Sequence, residues 1–279
     1  NKKIRKSIKE ILNIRYKSLD NKRKKEFKKF EEKFIKKSKF TINKITIPKE
    51  LNNSYDYFIT GSDQVWNPYY NYNSPAYFLD FCTKKKRIAL SPSFGITNLP
   101  NNIKDEYTKY LNGFEYLSVR EDSGRKIIEE LTGKKASVLI DPTLMLSKQE
   151  WNNISIKPKK VPNKKYIMVY FLGKIKNDEK LYLQELSKRY DLEIVNILDR
   201  KQKEYYISSP SQFIWLIEHA ELIFTDSFHG SVFSIIYKKP FIVFDRKSKF
   251  NMNSRLETLL NKFNLLNRKY SQIDINQIL

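Results

Sequence analysis

Residues 222–244, LIFTDSFHGSVFSIIYKKPFIVF, constrain the fold of this chain more than any other stretch. A short apolar run, Leu222-Ile223-Phe224, reads as a buried strand. It gives way to Thr225-Asp226-Ser227-Phe228-His229-Gly230, then to an apolar segment over 232–237. Past Lys238-Lys239-Pro240 comes a second apolar run, 241–244. Strand, polar loop, short helix, strand is the repeating unit of a parallel α/β sheet. The loop falls at the carboxyl end of its strand, the edge where such sheets bind ligands. The helix opens at Ser227 or His229, and the N–H groups at a helix start favour an anion. A histidine there can hold a phosphate or carboxylate, or pass a proton. The structural alternative is that Asp226 or Ser227 is only an N-cap and His229 a partly buried, capped side chain.

The same pattern recurs along the chain. Residues 55–60, YDYFIT, read as a strand that ends in Gly61-Ser62-Asp63-Gln64-Val65-Trp66-Asn67-Pro68. Gly61 permits a tight turn, and Asp63 and Gln64 project hydrogen-bonding groups at the strand end. Residues 86–91 form a further strand before the turn Pro92-Ser93-Phe94-Gly95. A helix over 103–112, a strand over 116–119, a helix over 125–131 stopped by Thr132-Gly133, and a strand over 137–140 closed by Asp141-Pro142-Thr143 follow. After 155–165, a stretch with two prolines and five lysines, a second series begins. It has a strand at 166–172, a helix at 178–190, a strand at 193–197 and a helix at 209–219 capped by Ser209 or Ser211. Helices over 254–263 and 271–279 close the chain.

The expected fold class is therefore α/β, with two Rossmann-like parallel-sheet domains facing across a cleft. The expected division is a basic amphipathic helical region at 1–50, an N-terminal domain at 51–155, a linker at 156–165 and a C-terminal domain at 166–279. There is no GxGxxG and no GxxxxGK[ST], so neither dinucleotide nor P-loop chemistry is indicated.

The formal charge of +22 invites a nucleic-acid or membrane-surface partner. However, Lys, Asn, Ile and Tyr are abundant together, as in a compositional bias, and the basic residues beyond the N-terminal region are scattered along helix faces. An anionic small substrate or peripheral contact with an anionic membrane fits better than nucleic acid. One cysteine and two histidines, with no HExxH, leave no expected metal site and no intramolecular disulfide. Apolar runs fall short of the roughly 18 residues that a membrane span needs. No signal peptide is visible, so the expected setting is cytoplasmic.

Four motifs in order carry a family resemblance: Gly61-Ser62-Asp63-Gln64-Val65-Trp66-Asn67, Ser118-Val119-Arg120-Glu121, Asp141-Pro142-Thr143 and Thr225-Asp226-Ser227-Phe228-His229-Gly230. Together they resemble the polysaccharide pyruvyl transferase family over about residues 55–260. The resemblance implies a GT-B-like fold and transfer of a pyruvate ketal from phosphoenolpyruvate, as donor substrate and without a cofactor, to a sugar. That sugar belongs to a cell-surface polysaccharide or its lipid-linked precursor. It also implies that His229 is catalytic and that Arg120 binds the anionic donor, to which the helix start at Ser227 and Gly230 can add fixed positive potential. A downstream basic residue joins them, Lys249 as first choice and Arg255 as second. Family members usually open with a strand, an Asn-x-Gly loop and a helix, and residues 1–50 look like the region that follows these. The expectation is that this chain, starting at Asn1, lacks them and that its first sheet is incomplete.

Ketal formation needs two anion cradles, an acid and a group to take the hydroxyl proton. Asp63 is the candidate to orient or deprotonate the acceptor hydroxyl, with Ser62, Gln64 and Trp66 beside it on the acceptor, and Asp226 to hold the imidazole tautomer. Each has a plainer reading. Asp63 caps a turn, Arg120 pairs with Glu121 or Asp122, Trp66 packs in a core, Asp141 makes a structural turn, and His219 complements a helix C-terminus. Two other functions remain open. One is a GT-B glycosyltransferase using a nucleotide sugar, with Lys247, Lys249 and Glu257 on the diphosphate and ribose. The other is a basic scaffold on an anionic surface.

Overall fold

The computed structural model describes residues 2–40, 42, 47–70, 74–246 and 254–273, with side chains in the first helix described from Tyr16 onward. In chain order its regular elements begin with α1 (Lys2–Phe34), β1 (Phe58–Thr60), β2 (Arg87–Ala89), α2 (Lys104–Asn112), β3 (Leu117–Val119), α3 (Asp122–Thr132) and β4 (Ala136–Val138). There follow α4 (Lys148–Asn152), β5 (Tyr166–Tyr170), α5 (Asn177–Arg189), β6 (Glu193–Asn196), α6 (Lys203–Tyr206), α7 (Pro210–His219), β7 (Leu222–Thr225), α8 (Phe228–Ile236), β8 (Phe241–Val243) and α9 (Ser254–Lys262). The expected final helix at 271–279 falls largely outside the described residues. The chain divides into two compact units: Asn1–Lys36 with Ser147–Asp245 and Asn267–Leu279, and Lys37–Leu146 with Arg246–Leu266.

The first unit holds a parallel sheet ordered β6-β5-β7-β8. All four residues of β7 are buried, as are the first four of β5, as continuous apolar runs in a two-sided parallel sheet must be. Ile167, Val169, Leu222, Phe224, Ile242 and Phe244 meet Leu183 and Leu186 of α5 in one core. From β5 the chain moves to β6 on one side and returns to β7 on the other, so the strand order reverses between β5 and β7. The crevice outside the carboxyl ends at such a reversal is where open α/β sheets bind ligands. Within the basic N-terminal region, α1 is fastened here by a buried Leu19 and an Asp20 carboxylate that takes Arg200 Nη2 at 2.9 Å and the Tyr206 hydroxyl at 2.6 Å.

The second unit has two short parallel pairs, β1 with β2 and β3 with β4. The Ser118 hydroxyl links the pairs, donating to the Ala89 carbonyl at 2.5 Å and accepting from Ser91 N–H at 2.9 Å. Its core is rich in aromatic rings: Trp66, Phe78, Phe94, Tyr107 and Phe114 are each 0% exposed. The fold is thus α/β with parallel sheets. The strands are shorter than expected. Of 55–60 only Phe58–Thr60 is laddered, because Tyr55 and Tyr57 are exposed and lie ahead of its pairing with β2.

Candidate active site

His229 sits in the first turn of α8 at the β5/β7 reversal. Ser227 caps this helix, its hydroxyl accepting from Gly230 N–H at 3.3 Å. The strand end is braced from two sides. The Thr225 hydroxyl donates to the Tyr170 carbonyl at 2.6 Å and accepts from Ser227 N–H at 3.0 Å. Asp226 reaches across to the loop after β5, accepting from Leu172 N–H at 2.7 Å and Gly173 N–H at 2.8 Å, one on each carboxylate oxygen. Asp226 thereby clamps the two strand ends together. Gly230 answers to space: a Cβ there would lie 2.5 Å from Thr225 Oγ1, so the helix could not approach the strand as it does. The half-buried His229 is held on a rigid shelf and lines a cavity at the ends of β5 and β6.

The second unit gathers a charged cluster. Arg120 follows β3, and its side chain is 1% exposed. Its Nη2 donates to Asp63 Oδ1 at 3.0 Å, and its Nη1 forms an ion pair with the buried Asp141. Arg255, from α9, brings Nη1 to 3.8 Å from the same Asp63 oxygen. Burial, with the charge of Arg120 adding to it, pushes the Arg255 pKa down to about 10, which leaves it cationic at neutral pH. Asp63 itself is 63% exposed, so two buried guanidiniums converge on a carboxylate open to solvent. The Ser62 hydroxyl lies 3.0 Å from Asp141 Oδ2 and 3.1 Å from the Ser91 carbonyl, and accepts from Arg120 Nη1 at 3.4 Å. The turn that presents Ser62 and Asp63 needs glycine at 61: φ is +119° there, and a Cβ would meet the Leu90 carbonyl oxygen at 2.1 Å.

Beneath the cluster Glu121 is 0% exposed. Its Oε1 accepts from the Ser93 hydroxyl at 3.0 Å, Phe94 N–H at 2.8 Å and Gly95 N–H at 3.0 Å, while Oε2 has no hydrogen-bond partner among the described residues. Burial pushes its pKa up against the pull of Arg120 and those donors.

Several expectations change. Arg120 is held by Asp63 and Asp141 rather than by Glu121 or Asp122. Asp141 does cap a turn, accepting from Thr143 N–H at 2.9 Å, but it is also the buried counter-charge of Arg120, a role its Asp-Pro-Thr context did not signal. Trp66 is fully buried, stacked on Phe78 at 5.4 Å, with its indole N–H on the Tyr77 carbonyl at 3.1 Å. Of its two readings, core packing holds and a sugar platform does not. Gln64 is engaged within its own loop, accepting from Asn67 Nδ2 at 2.8 Å. His219 ends α7 with Nδ1 2.9 Å from the Trp215 carbonyl, a last-turn contact. Lys249 and Lys247 lie outside the described residues.

The parallel α/β chain thus carries a histidine at a strand-order reversal and a buried arginine pair meeting at a solvent-facing carboxylate. The sequence matches the family model described as "Polysaccharide pyruvyl transferase" over residues 2–248. The chain belongs to that family and is a transferase. No curated protein gives a significant match. No helix among the described residues is long and apolar enough to cross a membrane.

Proposed function

We propose that this chain moves the pyruvyl group of phosphoenolpyruvate onto a sugar of a cell-surface polysaccharide or its lipid-linked precursor, closing a cyclic ketal. The convergence of Arg120 and Arg255 on Asp63 is the observation that carries the reading, because a donor with a carboxylate and a phosphate needs fixed, buried positive charge with an open side. In the proposed reaction a proton is added to C3 of the donor, one sugar hydroxyl adds to C2, the C2–O bond to phosphate breaks, and a second hydroxyl of the same sugar adds to C2. C3 gains one proton, the two hydroxyls lose one each, and phosphate departs with one. His229 supplies the proton to C3 or to the leaving phosphate, the α8 start with Ser227 adds positive potential, and the exposed Asp63 carboxylate orients the attacking hydroxyl. A GT-B arrangement of two Rossmann-like domains across a cleft belongs to the same proposal.

Calorimetric titration with phosphoenolpyruvate and a panel of nucleotide sugars tests it, on the wild-type chain and on Arg120→Lys, which keeps the charge but loses the two-pronged grip. The expected result is saturable phosphoenolpyruvate binding that weakens in the variant. Tight binding of a nucleotide sugar with none of phosphoenolpyruvate would overturn the reading in favour of glycosyl transfer.

A further inference from the structure

The cavity beside His229 encloses about 190 Å³, below the ~300 Å³ at which pockets begin to take drug-sized ligands. It is too small for a nucleotide sugar and of a size for one six-membered ring. Its walls are chiefly apolar. Phe27 comes from α1, Tyr170 ends β5, and Phe213 from α7 meets the Tyr170 ring edge-on at 5.2 Å. Its cation, Arg23, is anchored: Nη1 donates to the Ile197 carbonyl at 3.2 Å and to the Tyr206 carbonyl, and the guanidinium lies 5.1 Å from the ring centres of both Phe27 and Tyr206. Ser208 also lines the cavity. It is 5% exposed, and its hydroxyl has no hydrogen-bond partner among the described residues. A buried hydroxyl of that kind is costly unless something else completes it.

We infer that this cavity seats the acceptor sugar, an inference that rests on the pyruvyl-transfer reading above. A multiply charged donor would be stripped of water against three aromatic faces, with one guanidinium already engaged by two carbonyls. A pyranose suits the same walls. Its C–H faces cover the aromatic rings, and its hydroxyls reach Ser208 and Arg23, with His229 at the wall beside the hydroxyl that reacts. The cavity shares Arg23, Phe27 and Pro210 with a larger, open depression of about 660 Å³ along α1, lined further by Lys24, Lys28, Phe30, Glu31 and Ile35. That depression carries the glycan onward from the reacting sugar; Lys28 is paired with Glu32 at 3.6 Å, and Arg23 and Lys24 still outnumber Glu31 along it, which favours a glycan bearing negative charge. The acceptor is thus a sugar within an extended, anionic glycan.

Saturation-transfer NMR with the methyl pyranosides of glucose, galactose and mannose tests this on wild type, Ser208→Ala and Phe27→Ala, with phosphoenolpyruvate titrated in parallel. Phe27 is 43% exposed and Ser208 loses no hydrogen bond seen in the structure, so both variants are expected to fold, which thermal unfolding checks. At least one glycoside is expected to bind saturably, and each variant to weaken it about three- to tenfold, while the phosphoenolpyruvate Kd stays within about twofold. The inference is overturned if neither variant weakens glycoside binding, or if they weaken phosphoenolpyruvate instead. It is also overturned if wild type binds phosphoenolpyruvate but no glycoside. Wild type that binds neither would take the pyruvyl-transfer reading down first, and this inference with it.

Discussion

Arg120 and Asp63 form a half-open ion pair: the guanidinium is buried, its Nη2 3.0 Å from an Asp63 oxygen, while the carboxylate stands 63% exposed. Arg255 approaches that oxygen at 3.8 Å, so one solvent-facing carboxylate occupies the end of two buried cations. Under the proposed function an incoming donor anion competes with Asp63 for them. Asp63→Asn removes the competing charge, and with the carboxylate open to solvent the pair is worth about 1 kcal/mol. The variant is expected to bind phosphoenolpyruvate about two- to fivefold tighter by calorimetry and to turn over more slowly, because the acceptor hydroxyl loses its orienting carboxylate. Weaker donor binding in Asp63→Asn would contradict this.

The other side of Arg120 is structural. Asp141 is 3% exposed, and removing its cation leaves a buried, uncompensated charge. Arg120→Ala is expected to lose about 3–5 kcal/mol in denaturant unfolding. Arg120→Ala with Asp141→Asn is expected to recover part of that loss, since the orphaned charge is then gone. Additive losses in the double variant would show that the pair is not coupled.

Glu121 gives a pH signature. Its folded-state pKa is raised above the ordinary 4.5 by burial. A group raised in this way favours the fold fully below its unfolded pKa and loses that contribution as pH rises through the folded value. Glu121→Gln removes the titration and keeps an acceptor for Ser93, Phe94 and Gly95. Unfolding measured from pH 4.5 upward should therefore decline less steeply in the variant than in wild type. Identical slopes would mean that the carboxyl does not titrate there.

His229 is half-buried at a helix start, and the proposed function gives it chemistry rather than packing. His229→Ala is expected to leave thermal stability nearly unchanged and to cost at least about 100-fold in turnover. Ser227→Ala should show the converse balance, losing about 1 kcal/mol of stability with the cap. A His229→Ala enzyme with wild-type turnover would remove it from the reaction.

Trp66 marks the limit of motif reading. It follows Gly61-Ser62-Asp63 closely, yet its side chain is 0% exposed among Phe78, Phe94 and Phe114. Trp66→Ala is expected to destabilise the fold by about 3–5 kcal/mol. If it left stability intact and abolished glycoside binding, the sugar-platform role would have to be restored.

What the sequence determined by itself was local. Apolar runs of three to five residues bounded by polar loops wrote the parallel α/β pattern, because strand burial is read from consecutive residues. Ser227 two places before His229 announced the cap that holds the histidine, and Gly61 announced a turn that only glycine can make. Tertiary structure alone decided the partners of the charged groups. Nothing near Arg120 in the chain indicates that Asp63, Asp141 and Arg255 surround it, since a buried charge takes whatever counter-charge the folded chain brings within reach. The same holds for the cavity beside His229. Arg23 and Phe27 meet the ends of β5 and β6 only because α1 docks on the sheet unit they belong to, and docking is a sum of many weak contacts that no single segment encodes.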